Sequence, residues 1–272
     1  MRKLAALTAA AVLALGLAAC GDDDDDDESG SPTTGSEPAA EVETLEAGVL
    51  KICTDAPYEP FEFQDDDGEW TGFDMDLLRA VATNLELELD VVVRTFEGIW
   101  TAPAAGECDI VASAMTITDE RAENALFSDP YFDADQSLLI RSDDAETFTD
   151  LESLSGATIG VQTGTTGEEY ANENAPDDAE IRTYDDAAAM FLALESEDVD
   201  ALLQDFPVNL DRANRDDAFA VAGEFETGEQ YGFAASLDNT ALIDAVNDQL
   251  AALRDDGTYD EIFQEYFPGG DA

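Results

Sequence analysis

Ala112-Ser113-Ala114-Met115-Thr116-Ile117-Thr118-Asp119-Glu120-Arg121 is the stretch that decides how the rest of the chain is interpreted. It follows the apolar pair Ile110 and Val111, and its small and hydroxyl-bearing residues end in two acids and an arginine. This pattern predicts a buried strand that opens into a loop and a helix start, at a sheet edge where ligands bind in α/β proteins. Arg121 then either holds the carboxylate of a small ligand or pairs with one of many surface acids.

Composition excludes several classes of function. The chain has 272 residues, of which 65 are acidic and 11 basic, and its formal net charge is −54. Such a charge repels nucleic acid and anionic lipid surfaces. Histidine is absent, which removes the usual general base and the commonest zinc ligand, and we expect no catalytic residue, no metal site and no cofactor. Hydrophobic residues make up 44% of the chain, enough for the packed core of one large domain or two lobes.

The excess of acid over lysine indicates a solvated surface adapted to high salt. Lys3 and Lys51 are the only lysines, and the other cations are arginines. At molar salt the Debye length is about 3 Å, so repulsion between surface carboxylates is largely screened. An acidic protein from ordinary surroundings is the alternative.

The first 43 residues predict an export signal and a tether. The apolar run from Leu4 to Leu17 is too short to span a bilayer and has the length of a signal-peptide core. Leu17-Ala18-Ala19-Cys20 resembles a bacterial lipobox, so we expect residues 1–19 to be a signal peptide and Cys20 to carry an anchoring lipid. An ordinary secretory signal is the alternative. Residues 20–43, which include six consecutive aspartates, are expected to form a disordered tether rather than a metal-binding tail.

Two cysteines remain when Cys20 is modified. Cys53 and Cys108 both lie on predicted strands, and outside the cytosol such a pair favours a disulfide. A bond needs Cα atoms within about 7 Å, which the sequence does not give. Whether the two are bonded therefore stays open at this point.

The first half of the folded part alternates strands and helices. Strands are predicted at Val49 to Thr54, Leu87 to Val93 and Asp109 to Ser113, a hairpin turn at Asp67-Gly68, and a helix capped by Asp74. This order predicts a mainly parallel sheet.

Ser137 to Arg141 is predicted as an extended crossing segment, and after it the alternation restarts. A strand at Ala157 to Val161 leads into the Gly/Thr loop 162–167 and a helix, which is a ready anion site. A second strand, Val199 to Leu203, ends at Gln204-Asp205. Ala218 to Val221 and Tyr231 to Ala235 are predicted as two separate strands.

Taken together, these segments resemble the family 3 extracellular solute-binding proteins, the amino-acid receptors of ABC importers. The resemblance runs from Gly48 to Phe267. It is carried by Gly48-Val49-Leu50-Lys51-Ile52, Pro60-Phe61-Glu62-Phe63, Gly72-Phe73-Asp74-Met75-Asp76-Leu77, the opening stretch 114–121, Phe127-Ser128-Asp129-Pro130-Tyr131, Gly160 to Gly167, Gly228-Glu229-Gln230-Tyr231-Gly232 and Leu253 to Asp260.

The resemblance implies a two-lobed periplasmic-binding-protein type II fold, with two mixed, mainly parallel sheets joined by two hinge strands. Lobe 1 would comprise residues 44–135 and 232–267, lobe 2 residues 136–231, and residues 268–272 a tail.

The resemblance also assigns residues to the backbone groups of an amino acid. Arg121 would pair bidentately with the α-carboxylate, and Thr166 would add a backbone N–H. Asp205 would accept the α-ammonium, together with the Thr116 hydroxyl and the Ser113 carbonyl.

Five further residues would surround the side chain of the ligand. Tyr58 and Phe96 would sandwich it, and Asp55, Gln162 and Met115 would line its pocket. Asp55 and an aromatic pair suit a guanidinium, so arginine is favoured and glutamine is the close alternative.

The function implied is capture of a free polar or basic amino acid and its delivery to an ABC transporter permease, by a monomer held at the membrane by lipid alone. Two alternatives share the scaffold. An enzyme resembling cyclohexadienyl dehydratase would need a catalytic acid, and a sensory ectodomain would need a membrane-spanning segment, which we do not expect beyond the signal.

Overall fold

Two five-stranded sheets and one hairpin organise the chain, which a computed structural model describes over residues 42–270. The strands are β1 (Val49–Thr54), β2 (Phe63–Gln64), β3 (Trp70–Thr71), β4 (Glu88–Val93), β5 (Ile110–Val111), β6 (Leu126–Phe127), β7 (Phe132–Arg141), β8 (Thr158–Gln162), β9 (Glu180–Tyr184), β10 (Ala201–Asp205), β11 (Phe219–Tyr231) and β12 (Ala234–Ala235). The α-helices are α1 (Phe73–Asn84), α2 (Asp119–Ala122), α3 (Thr166–Asn174), α4 (Ala187–Glu195), α5 (Phe206–Arg215), α6 (Thr240–Asp256) and α7 (Thr258–Tyr266). Short 3₁₀ turns occupy Ile99–Thr101, Ser142–Asp144 and Glu152–Leu154.

The first sheet has the order β4-β1-β5-β12-β6, and we call the part of the chain built on it lobe 1. β1 runs parallel to β4 and β5, whereas β12 is antiparallel to β5 and β6. Helices α1, α6 and α7 pack together beside this sheet. Their apolar faces and the aromatic residues Phe61, Phe73 and Phe132 form the larger core, because burial of these rings removes much apolar surface from water.

The second sheet has the order β11-β7-β10-β8-β9, and we call the part built on it lobe 2. β10, β8 and β9 are parallel, and β7 is antiparallel to β10 and β11. Each sheet thus has two parallel and two antiparallel pairings. The mixed α/β architecture is confirmed, but the expectation of mainly parallel sheets is wrong, because the returning strands β7, β11 and β12 enter antiparallel.

Two strands run from one lobe into the other. On β7, Phe132 belongs to the core of lobe 1 and Leu138 to the core of lobe 2. β11 pairs with β7 along most of its length and ends at Tyr231 in the core of lobe 1. The prediction of separate strands at 218–221 and 231–235 is therefore wrong, because β11 is one continuous strand from Phe219 to Tyr231. Its middle part is polar and about half exposed, and pairing with β7 keeps it extended. The predicted lobe limit at 135/136 falls inside β7.

Asp74 does not cap α1, contrary to the prediction. The N-cap residue is Gly72, whose φ of 115° and contact with the Phe61 carbonyl leave no room for a Cβ atom. Asp74 lies in the first turn, is fully buried, and accepts hydrogen bonds from the Ala114 N–H at 2.9 Å and the Tyr131 hydroxyl at 2.7 Å. Its carboxylate thereby holds the loop that begins the opening stretch.

Cys53 and Cys108 form a disulfide, which answers the question that the sequence left open. Cys53 lies on β1 and Cys108 just ahead of β5, and because these strands are neighbours the two Cα atoms are 5.7 Å apart. No helix within residues 42–270 is long and apolar enough to cross a membrane.

Candidate functional site

A narrow cavity lies between the lobes, at the carboxyl ends of β1, β5, β8 and β10. Parallel strands place polar residues that follow them at one sheet edge, and here two such edges face each other. The lining residues are Asp55, Tyr58, Glu62, Phe96, Ser113, Ala114, Thr116, Arg121, Gln162, Thr165, Thr166, Gly167, Gln204 and Asp205. Nine of the ten residues predicted from the sequence are among them.

Met115 is the predicted residue that does not line the cavity. It is fully buried and packs with Cys53, Cys108 and Phe96 beneath the site. Its neighbours Ala114 and Thr116 line the cavity, whereas the Met115 side chain points into the core beneath it. The structure thus places Met115 behind the cavity wall and not in its lining.

Arg121 is buried in the cavity wall, with 4% of its surface exposed. Its guanidinium donates to the Thr116 carbonyl at 2.7 Å and to the Gly164 carbonyl of lobe 2 at 3.1 Å. Its Cζ lies 5.2 Å from the ring centre of Phe96 and 5.1 Å from that of Trp100, both cation–π distances. Trp100 was missed from the sequence, although it follows Phe96 by one helical turn.

The charge of Arg121 has no carboxylate within ion-pair distance among the residues that the structure describes. Burial accordingly lowers the pKa of its guanidinium, although nearby acids, Asp205 foremost, oppose this effect. The alternative interpretation of Arg121 as a surface ion-pair partner does not hold. A buried cation without a carboxylate partner is suited to binding an anionic group from solution.

Asp205, at the end of β10, faces Arg121 from the other lobe and receives three hydrogen bonds. The donors are the Tyr231 hydroxyl at 2.6 Å, the Gln136 amide at 2.6 Å and the Tyr58 hydroxyl at 2.9 Å. Burial, followed by the charge of Glu229, raises the pKa of Asp205 to about 6. Tyr58 was predicted to flank a ligand side chain, and its hydroxyl in addition joins lobe 1 to Asp205.

Asp55 and Gln162 meet across the cleft. Asp55 follows β1 and Gln162 ends β8, and the Gln162 amide donates to the Asp55 carboxylate and, at 3.2 Å, to the Asp185 carbonyl. Burial raises the pKa of Asp55 to about 6, against the lowering effect of the Gln162 hydrogen bond. Gln162 thus fixes the direction in which Asp55 presents its carboxylate to the cavity.

Glu62 is a site residue that the sequence reasoning missed. Its Oε1 accepts a hydrogen bond from the Ser113 hydroxyl at 3.1 Å, and that hydroxyl accepts from the Asp55 N–H at 2.9 Å. The other carboxylate oxygen is buried and has no partner among the described residues. Burial, with the nearby charge of Asp74, raises the pKa of Glu62 well above its usual range. No local signal marked Glu62, because an acid between two apolar residues such as Phe61 and Phe63 normally faces solvent in an extended segment.

Thr116 and Thr166 approach each other from the two lobes. Thr166 begins α3, whose preceding residue Thr165 caps it by accepting the Glu168 N–H at 3.1 Å. The N–H groups of the first helical turn have no partner within the helix, and Thr166 and Gly167 of this turn line the cavity. Both threonine hydroxyls donate to Glu229 on β11.

The arrangement combines one guanidinium with three carboxyl groups. Arg121 stands opposite Asp205, and Asp55 and Glu62 lie in the same cavity. A ligand that carries one carboxylate and more than one positive charge would neutralise the most of this charge.

Comparisons with known proteins agree with this geometry. The sequence profile of the bacterial extracellular solute-binding proteins, family 3, matches residues 50–269. The L-cystine-binding protein TcyJ of Escherichia coli strain K12 is 31% identical, over 82% of this chain and 84% of that protein. A solved ancestral arginine-binding protein bound to arginine has a TM-score of 0.76 and 35% identity, and the match covers 81% of this chain and 98% of that one.

A third similar protein is the ancestral amino acid-binding protein AncCDT-1, described as a precursor of cyclohexadienyl dehydratase. Its structure has a TM-score of 0.74 and 39% identity, with 81% of this chain and 95% of that chain covered. The profile match and these relatives all span both lobes. The chain belongs to the bacterial extracellular solute-binding proteins of family 3.

Proposed function

We propose that this protein is the extracytoplasmic receptor of an amino-acid ABC importer, and that it captures a free L-amino acid with a cationic side chain, arginine in preference to glutamine. The observation that carries the proposal is that the buried Arg121 of lobe 1, which has no carboxylate partner within residues 42–270, lies in the same cavity as Asp205 of lobe 2. A zwitterion placed between them satisfies both groups at once. The relatives named for cystine and arginine support an amino acid as the ligand, and the arginine-binding one supports a cationic side chain.

The backbone groups of the ligand have matching partners on both lobes. The planar guanidinium of Arg121 can pair with the α-carboxylate through two parallel hydrogen bonds, and the Thr166 N–H at the start of α3 adds a donor. Asp205 accepts the α-ammonium, with the Thr116 hydroxyl and the Ser113 carbonyl beside it. Each of these residues lines the cavity.

The charge of the cavity supports a basic ligand. Asp55 can accept two hydrogen bonds from a guanidinium, and the second acid Glu62 lies nearby. Tyr58 and Phe96 supply aromatic faces for the flat cation. A glutamine amide would donate to Asp55 but would leave the negative charge uncompensated.

Closure of the two lobes is the mechanism. Tyr58–Asp205 at 2.9 Å and Arg121–Gly164 at 3.1 Å are hydrogen bonds between the lobes, and β7 and β11 are the connections about which they would hinge. The ligand stabilises the closed state by contacts that it makes only there, and the permease distinguishes that state. The lobes would comprise residues 44–135 with 232–267, and 136–231.

Anchoring follows from the segment that precedes the described residues. The signal peptide 1–19, the lipidated Cys20 and most of the tether 20–43 lie outside the range 42–270. We propose a monomer that is held to the outer side of the cytoplasmic membrane by lipid and adapted to high salt.

An enzyme is the second candidate, because AncCDT-1 is a precursor of a dehydratase. Glu62 is the group that would serve as its catalytic acid, since it is buried in the cavity wall and its pKa is raised. Incubation with prephenate and arogenate distinguishes the two candidates. The binding function predicts no turnover of either compound, and turnover would establish the enzyme.

The proposed function is tested by calorimetric titration with each of the twenty amino acids in molar salt. L-arginine is expected to bind best, and tight binding of leucine or glutamate alone would contradict the proposal. In Arg121→Ala the affinity for L-arginine should fall by a factor of roughly a hundred or more, because the ion pair with the ligand carboxylate is removed. Arg94→Ala is the matched control, since Arg94 pairs with Glu107 on the exposed surface. Retention of affinity within tenfold in Arg121→Ala, with unchanged circular dichroism, would contradict the role of Arg121.

A further inference from the structure

The carboxylate of Glu229 collects hydrogen-bond donors from both lobes. Its Oε2 accepts the Thr116 hydroxyl at 2.6 Å and the Thr166 hydroxyl at 2.7 Å. Its Oε1 accepts the Gln136 amide at 3.0 Å and the Thr227 hydroxyl at 3.1 Å. Glu229 itself lies on the crossing strand β11, immediately after an irregularity in its pairing with β7. No other described carboxylate joins the two lobes through both Thr116 and Thr166.

These contacts determine what the Thr116 hydroxyl can do toward the cavity. A hydroxyl has one proton, and Thr116 donates its proton to Glu229, away from the ligand space. Only its lone pairs then remain for a group in the cavity, so the hydroxyl is an acceptor there. Gln136 extends the same array, because its amide donates at 2.6 Å to Asp205, the other acceptor on this side.

We propose that Glu229 is a positioning residue which, by taking the Thr116 proton, makes the site select an α-ammonium over an α-hydroxyl. The proposal rests on the proposed function. An ammonium has three protons and can donate to Thr116, Asp205 and the Ser113 carbonyl together. A hydroxyl has a single proton, so it leaves two of these acceptors without a partner.

The test compares two ligands on the full-length protein in molar salt, namely L-arginine and its 2-hydroxy analogue, in which a hydroxyl replaces the α-ammonium. Glu229→Gln removes the charge and replaces one acceptor oxygen by an NH₂ donor, so the Thr116 proton is free to face the cavity. We expect the affinity for L-arginine to fall roughly tenfold and that for the hydroxy acid to change by less than about twofold. The ratio of the two dissociation constants should therefore shrink.

Thr227→Ala is the matched control. It removes another hydrogen bond to the same carboxylate, but Thr227 does not line the cavity. In Thr227→Ala the ratio of the two dissociation constants should equal that of the wild type. If Glu229→Gln lost affinity equally for both ligands, or for neither, the proposal would be overturned. A merely structural role of Glu229 would weaken the binding of both ligands equally.

Two further measurements keep the outcome decisive. Thr116→Val should shrink the ratio in the same way, and an unchanged ratio would overturn the proposal even if Glu229→Gln did not fold. When Glu229→Gln is added to Thr116→Val, the ratio of the two dissociation constants should change little further. If Glu229→Gln shrank the ratio as much in this double variant as it does alone, Glu229 would not act through Thr116. Wild-type protein that binds no amino acid would instead refute the proposed function, and this is seen before any variant is made.

Discussion

At the scale of single residues, the cavity is governed by the cost of burying charge. Asp55 and Asp205 each have a pKa raised to about 6, and burial is the largest cause for both. Glu62 is buried more completely, and its pKa is raised further by Asp74. Burial disfavours the ionised form of these groups and a bound cation favours it, so the binding of a basic ligand and the ionisation of the carboxyls are linked.

The affinity for L-arginine should therefore fall as pH decreases through about 6. A cationic ligand binds the ionised carboxylates and lowers their pKa, so protons and ligand compete for Asp55 and Asp205. At pH 8 both are ionised, and below about 6 each contributes up to roughly a tenfold loss per pH unit. Dissociation constants measured from pH 8 to 5 at constant salt test this.

Asp55→Asn gives the control for that titration. It should bind more weakly at pH 8 but show a shallower loss toward pH 5, because one of the two competing groups is gone. A dissociation constant that stays constant from pH 8 to 5 in the wild type would contradict the linkage.

At the scale of elements, the sequence predicted those helices and strands whose formation depends on neighbouring residues. The hairpin β2–β3 and the strands β1 and β4 lie where their sequence predicted them. Asp74 and the long strand β11 could not be read in this way. The partners of Asp74 are 40 and 57 residues away, and β11 is extended because β7 pairs with it, not because its own residues alternate toward a core.

The disulfide between β1 and the segment before β5 is expected to stabilise lobe 1. It joins positions 55 residues apart, for which the chain-entropy relation gives about 4 kcal/mol of unfolding free energy. A Cys53→Ala/Cys108→Ala double variant should lose most of that in denaturant unfolding at high salt. The affinity for L-arginine should change little, because both cysteines lie beneath the cavity and do not line it. An unfolding free energy equal to that of the wild type would contradict this role.

At the scale of the whole molecule, the site exists only where two lobes face each other. Position in the family motifs was enough to predict nine cavity residues from the sequence. The bonds between them were not predictable: Tyr58 to Asp205, Gln162 to Asp55, and the donors of Glu229 all depend on how the lobes are placed. Glu62 escaped for a related reason, since with 65 acids in the chain only its burial distinguishes it.

The net charge of −54 predicts that compactness depends on salt. Near-UV circular dichroism should weaken when salt is reduced from molar to a few millimolar, because repulsion between carboxylates is no longer screened. Sodium and potassium chloride at equal ionic strength should restore it, whereas sucrose of equal osmolality should not. A spectrum unchanged across the whole range would contradict the adaptation to salt.

The central claim is that Arg121 binds the carboxylate of an amino acid between the two lobes, while Asp55 and Asp205 bind its positively charged groups. The most direct measurement is a pair of calorimetric titrations of the unmodified protein in molar salt, one with L-arginine and one with agmatine. Agmatine keeps the guanidinium and the amine but lacks the carboxylate, so it offers nothing to Arg121. We predict that L-arginine binds at least roughly a hundredfold more tightly, as expected for the loss of a charged pair. Agmatine binding within tenfold of L-arginine would contradict the account.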